Sequence, residues 1–252
     1  MKKRVSGLII GLFLIAGLTQ SGYAAGWAFD YDGDGAASAI SISEFWDVTS
    51  PNLVVTDLAD GAANGTGFSF SNYGLFSVTG ADSYITNPAF SRLSGEYEFQ
   101  GTGILGSDIT FETGVLKLFL DSTQIMTLSV QSGEGAIGTE GYPNGTISIT
   151  YTVDALLDGY FYWDDGTALT PVEAGETLAM TTTNASVINS PVQGLQDDLL
   201  ALAGLSAGDL SDYDFYLSSN GQYRLEPVPV PSAFLLLGFG IIGLVGFRRK
   251  IK

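Results

Sequence analysis

Between its two hydrophobic ends the chain alternates apolar and polar residues, and this period of two constrains the fold more than any other feature of the sequence. Ile40-Ser41-Ile42, Phe68-Ser69-Phe70, Tyr97-Glu98-Phe99, Leu116-Lys117-Leu118, Leu128-Ser129-Val130, the run from Ile147 to Val153 and that from Tyr213 to Leu217 all place apolar side chains on one face, as half-buried strands do. Turn signals fall between them at Asp60-Gly61, Asn64-Gly65, Asn72-Tyr73-Gly74, Asn144-Gly145, Asp165-Gly166 and Asn220-Gly221. Many short strands with regular turns predict an all-β body, an antiparallel β-sandwich or jelly roll. One segment departs from the pattern. Ser190-Pro191 reads as an N-cap and first turn, and Val192, Leu195, Leu199 and Leu202 follow at helical spacing, which predicts a single amphipathic helix on the sandwich.

The sequence contains neither Cys nor His. Structural disulfides, the usual zinc sites and every catalytic triad built on His or Cys are therefore excluded. All 27 acidic residues lie between Asp30 and Glu226, where only Arg92, Lys117 and Arg224 are basic, so the body carries a charge of −24. Such a field repels nucleic acid and anionic polymers and attracts divalent cations. Nucleic-acid binding is excluded.

The two ends read as addresses. Lys2-Lys3-Arg4, an apolar run from Leu8 to Leu18, and Gly22 and Ala24 before a cut after Ala24 make residues 1–24 a secretory signal peptide. Residues 25–226 form the acidic ectodomain, and 227–252 a tail. In the tail, prolines at 227, 229 and 231 hold the chain extended. The uncharged run 232–247 would make a membrane helix of roughly 24 Å, slightly short of the ~30 Å hydrocarbon core, with its basic end in the cytoplasm.

Val228-Pro229-Val230-Pro231-Ser232-Ala233, the Leu/Gly-rich run after it and the closing Arg248-Arg249-Lys250 resemble the PEP-CTERM sorting signal, which exosortases recognise in exported proteins of Gram-negative bacteria. Val230 stands where the usual form has Glu. The resemblance implies an exosortase-like membrane enzyme as partner, anchoring in the inner membrane before processing, and a cell-surface or extracellular place afterwards. Trp27-Ala28-Phe29-Asp30 and the stretch from Asp214 to Tyr223 are also similar to the flocculation-associated subgroup, which implies a role in biofilm or aggregation alongside extracellular polysaccharide.

Two constellations could carry chemistry. Asp30-Tyr31-Asp32-Gly33-Asp34-Gly35 places carboxylates at positions 1, 3 and 5 and Gly at 6, the first half of a calcium loop. Position 12 is Ser41 where a bidentate Glu belongs, and Glu44 falls three residues late. Asp30, Asp32 and Asp34 are thus the candidate calcium ligands. Tyr160, Tyr162 and Trp163, beside Asp164-Asp165, offer ring faces and carboxylates of the kind that contact sugars. Together they make a calcium-dependent carbohydrate-binding module the alternative to a structural matrix protein. The acidic pairs Glu96/Glu98, Asp164/Asp165 and Asp197/Asp198 read as solvated faces, and no enzymatic activity is expected. Sequons at Asn64, Asn144 and Asn184 lie in turns or polar loops.

Overall fold

The computed structural model describes residues 26–47, 50–81, 90–137, 143–171, 176–188 and 191–225, with 137, 143–146, 176–188, 224 and 225 described by their backbone alone. The signal peptide 1–24, the sorting tail 227–252 and the expected cap Ser190 lie outside the described residues. No helix among the described residues is long and apolar enough to cross a membrane.

The period-two segments become strands, and eight of them close into a ring. β4 (Ser50–Thr56), β5 (Gly67–Ser77), β7 (Leu93–Ile104), β8 (Asp108–Leu120), β9 (Thr123–Ile137), β10 (Pro143–Leu156) and β12 (Glu176–Ile188) pair in that order, each antiparallel to the next. β12 then pairs β13 (Phe215–Leu225) from Leu178↔Leu225 to Ile188↔Tyr216, and β13 returns to β4 from Phe215↔Val54 to Ser219↔Ser50. The all-β antiparallel class with one helix is as the alternation predicts. Its two layers are the walls of a closed up-and-down ring, without the Greek-key crossings of a jelly roll, and closure leaves the ring without a free edge. Past Ser219, β13 outruns β4, and β3 (Glu44–Trp46) takes the vacated place beside it before pairing with β6 (Gly80–Ala81).

Inward positions are apolar and outward ones polar. Phe70, Tyr97, Phe99, Phe111, Leu116, Leu118, Ile149, Tyr151 and Tyr223 fill the interior, while Glu98, Gln100, Thr102, Glu112 and Ser148 face outward. A transmembrane barrel has the opposite polarity. The interior is wide enough for rings only because glycines sit opposite them. Across β5 and β7 the register sets Phe68 on Gly103, Phe70 on Gly101, Gly74 on Tyr97 and Phe76 on Gly95. Each glycine lets the ring of its partner lie flat on the sheet, the device by which aromatic residues cover strand glycines.

The two ends of the ring differ. β1 (Trp27–Phe29), β2 (Ile40–Ile42) and β11 (Phe161–Trp163) form a small sheet, and Trp27, Phe29 and Phe161 join the same buried cluster as the ring interior. Phe29 stacks on Phe90, just before β7 begins, with centroids 6.4 Å apart. This sheet is the floor, at the end where β13 finishes. The mouth is the other end, where β5 and β13 begin and where the 57–66 and 105–107 loops are tied by Gly65 N–H to Leu105 C=O at 2.8 Å.

The helix α1 (Gln193–Ala203) lies outside the ring, with Leu199 and Leu200 buried against Leu53 and Tyr216. It starts later than the Ser190-Pro191 reading predicts. Val192 occupies the cap position without a side-chain bond and is 80% exposed, so the buried stripe is shifted toward Leu200 and Ala203. Gly204 closes the helix in the left-handed region at φ 67.

Candidate functional site

The acidic loop hangs from the end of β1. Asp30 N–H donates to the Tyr160 carbonyl at 2.9 Å, which ties the loop to the residue preceding β11. Asp30 is fully buried. Its Oδ1 accepts from the amides of Asp32 (3.1 Å) and Gly33 (3.0 Å), and its Oδ2 from Gly35 (2.7 Å). Gly33 at φ 74 and Gly35 at φ 122 supply the left-handed turns that bring those amides round. Burial alone would raise the Asp30 pKa, but the amides of Gly35, Asp32 and Gly33 outweigh it and hold the carboxyl below its ordinary value.

Asp32 and Asp34 are exposed, and one carboxylate oxygen from each of Asp30, Asp32 and Asp34 lies within 4.8 Å of the others. Asp34 accepts a short bond from the Ser38 hydroxyl. The Asp30 carboxylate beside Asp32 pushes the Asp32 pKa upward, with burial and the field of Asp34 adding to it. Three converging carboxylates call for positive charge. Arg92 comes near, donating to the Tyr31 carbonyl at 3.2 Å, but its guanidinium is committed to Asp121 through Nη2–Oδ2 at 2.6 Å. Lys117 is paired with Glu96 at 2.7 Å.

The residues fit a hard cation in donor type, since all three side chains offer oxygens at converging positions. The second half of a calcium loop is not near. The Ser41 hydroxyl donates to Asp164 at 2.9 Å beyond the far end of β1, and Glu44 accepts from Gln222 at 2.8 Å on β3. Any ion here would take its remaining ligands from water or main chain.

The aromatic candidates divide. Tyr160 packs on the acidic loop, where a Cβ added at Gly33 would lie 3.3 Å from its hydroxyl oxygen, so the two sequence motifs meet at this residue. Tyr162 and Trp163 run along β11 away from the loop, opposite Ala28 and Trp27. Tyr160 and Trp163 are half-buried and pack against the interior cluster. Of the paired acids, Glu96 and Glu98 lie on the outer face of β7, and Asp197 accepts from Gln193 on the helix surface.

Two features escape the period-two reading. Asp47 is buried and accepts from Gly221 N–H at 3.0 Å and from the Tyr223 hydroxyl at 3.1 Å, and burial raises its pKa. At the mouth, a cavity of about 30 Å³ is lined by Val54, Phe70, Asn72, Ile109, Phe111 and Leu217 among others. Asn72 is 8% exposed, and its Oδ1 has no hydrogen-bond partner. The signal for it was present: Asn72 is the polar member of the inward series Phe68, Phe70, Asn72, Gly74, Phe76.

β13 ends at Leu225, and residues 227–250 match the family model of the PEP-CTERM protein-sorting motif. The chain carries a PEP-CTERM sorting signal. Such a signal marks an exported chain that is anchored in the membrane until exosortase, itself a membrane enzyme, processes it. Val228, Pro229, Val230, Pro231, Arg248 and Arg249, the predicted recognition residues, all fall within the matched span. Comparison with curated proteins and with solved structures returned no match. β13, which the PEP-CTERM motif follows in sequence, ends at the floor, opposite the mouth.

Proposed function

We propose that this protein is a non-enzymatic component of the cell surface or extracellular matrix, delivered by exosortase and associated there with extracellular polysaccharide in biofilm or flocs. The observation that carries the reading is the placement of the PEP-CTERM motif at residues 227–250, two residues after the strand that closes an apolar-filled ring with a polar outer face. A self-contained acidic body joined at one end to a removable anchor suits a part that is released intact into a hydrated polymer. The −24 body charge keeps copies apart and favours neutral or cationic glycans over anionic ones.

The test is to follow a chain tagged after Lys252 in exosortase-positive cells and in cells lacking the enzyme. Loss of the tag and appearance of the body outside the inner membrane, dependent on exosortase and abolished by Pro229→Ala/Pro231→Ala, is the expected result. A mature chain that keeps its tag in both strains would sink the sorting half of the proposal. Co-sedimentation of the released body with exopolysaccharide tests the other half.

A second reading is favoured by the convergence of Asp30, Asp32 and Asp34 oxygens within 4.8 Å: a calcium-dependent carbohydrate-binding module, with Tyr160 beside the ion and Tyr162 and Trp163 further along the sugar. Glycan retention that needs calcium and is lost in Tyr160→Ala with the fold intact supports it. Retention indifferent to chelation removes it.

A further inference from the structure

We propose that the mouth of the ring binds an acetamido group, the N-acetyl substituent of an amino sugar. This rests on the polysaccharide reading above and names the sugar class.

The size of the space comes first. About 30 Å³ is two to three times the ~10–15 Å³ that one water needs, so the cavity takes a small substituent of a few heavy atoms and excludes a sugar ring. Its chemistry comes second. Val54, Phe70, Ile109, Phe111 and Leu217 present hydrocarbon. Two polar side chains reach it: Thr56, whose hydroxyl donates to the Tyr213 carbonyl at 3.3 Å, and Asn72, whose buried Oδ1 has no partner. A water needs two to four polar partners and finds Asn72 nearly alone. A hydroxyl group would satisfy Asn72 but leave the apolar walls uncovered. An acetamido group meets both demands, because its methyl fills the apolar space while its N–H donates to Asn72 Oδ1. Only the N–H meets Asn72, because the N–H and C=O of a trans secondary amide point in opposite directions, and the carbonyl is left toward water.

The position suits a polymer ligand. β13 runs eleven residues from mouth to floor, roughly 36 Å at ~3.3 Å per residue, and ends two residues before the PEP-CTERM motif begins. The mouth therefore lies at the end of the ring away from the last residue of β13.

The test uses the full-length chain in a zwitterionic, sugar-free detergent and titrates it calorimetrically with chitotetraose and with cellotetraose, which carries a hydroxyl where chitotetraose carries each acetamido group. Chitotetraose is expected to bind at least about fourfold more tightly, because the cellotetraose hydroxyl can meet Asn72 but buries no methyl against the apolar walls. Asn72→Leu removes the acceptor at similar volume, and Val54→Ile places one more methylene in the space. Each should weaken chitotetraose about tenfold or more with the melting transition retained. Because the two change different walls, either one that folds decides the matter. Equal binding of the two tetraoses, or unchanged chitotetraose affinity in a folded variant, overturns the assignment. If the wild type sediments with exopolysaccharide but ignores chitotetraose, the acetamido site is wrong and the polysaccharide reading stands. Binding to neither overturns both.

Discussion

The Tyr97 ring lies so close over Gly74 that a Cβ at position 74 would fall 2.0 Å from its Cζ. The two residues face each other across β5 and β7, and Tyr97 in turn stacks on Phe99 at 4.4 Å, so the ring has nowhere to retreat. Gly74→Ala should therefore destabilise the body by about 1–3 kcal/mol, the usual cost of overpacking a filled core. In a body of this size that corresponds to a fall in Tm of roughly 2–10 °C, readable in a thermal melt. An unchanged Tm would mean that Tyr97 does not lie on the sheet as described.

Gly194 makes the opposite case. It sits in the first turn of α1 with nothing within 4 Å of an added Cβ, and it is absent from the positive-φ glycines. Gly194→Ala should stabilise the protein by about 0.5–1 kcal/mol, because alanine has less backbone freedom to lose on folding. Equilibrium denaturation of both glycine variants on one plate separates a contact effect from a general effect of the added methyl.

The strands were legible because a period of two survives any strand order, and the acidic loop was legible because its residues are consecutive. The ring closure was not. Pairing β13 with β4 joins segments more than 150 residues apart, and no local pattern encodes that register. Three turn signals also misled. Asn144-Gly145 lies inside β10, and Asn72-Tyr73-Gly74 and Asn220-Gly221 lie inside β5 and β13, where the glycines make room for Tyr97 and for Asp47 with Tyr223. Glycine was selected there for close approach within a strand, which in a single sequence reads the same as a bend.

Asp30 and Asp47 should give the stability curve opposite slopes. Asp30 titrates below its ordinary 3.8 in the fold, so its contribution is full above that value and is lost as the pH falls through the folded pKa. Asp30→Asn is expected to lose about 1–3 kcal/mol near neutral pH, with the gap to wild type closing in acid. Asp47 titrates above 3.8, so its contribution is greatest in acid and declines as the pH rises through its folded pKa. Asp47→Asn should gain on wild type between about pH 4 and pH 7. Urea unfolding of the three proteins across this range tests both signs, and parallel curves would remove both assignments.

Calcium is best tested with Asp32 rather than Asp30. Asp30 supports the loop through three backbone amides, so replacing it would perturb the turn whether or not an ion binds. Asp32 is exposed, accepts only a long 3.4 Å bond from Asp34 N–H, and is the carboxylate whose pKa its neighbour Asp30 pushes up. An ion held between them would cancel that repulsion. At a hundred times its Kd, calcium bound only to the native state adds about 2.7 kcal/mol, which a thermal-shift titration after chelation resolves easily. The expected outcome is a rise in Tm for wild type and none for Asp32→Asn, whose Tm without calcium equals or exceeds that of wild type. A wild type that does not respond leaves the loop as an amide-bound turn at the end of β1 and removes the calcium-dependent reading. The acetamido site at the mouth would be untouched, because it lies at the other end of the ring.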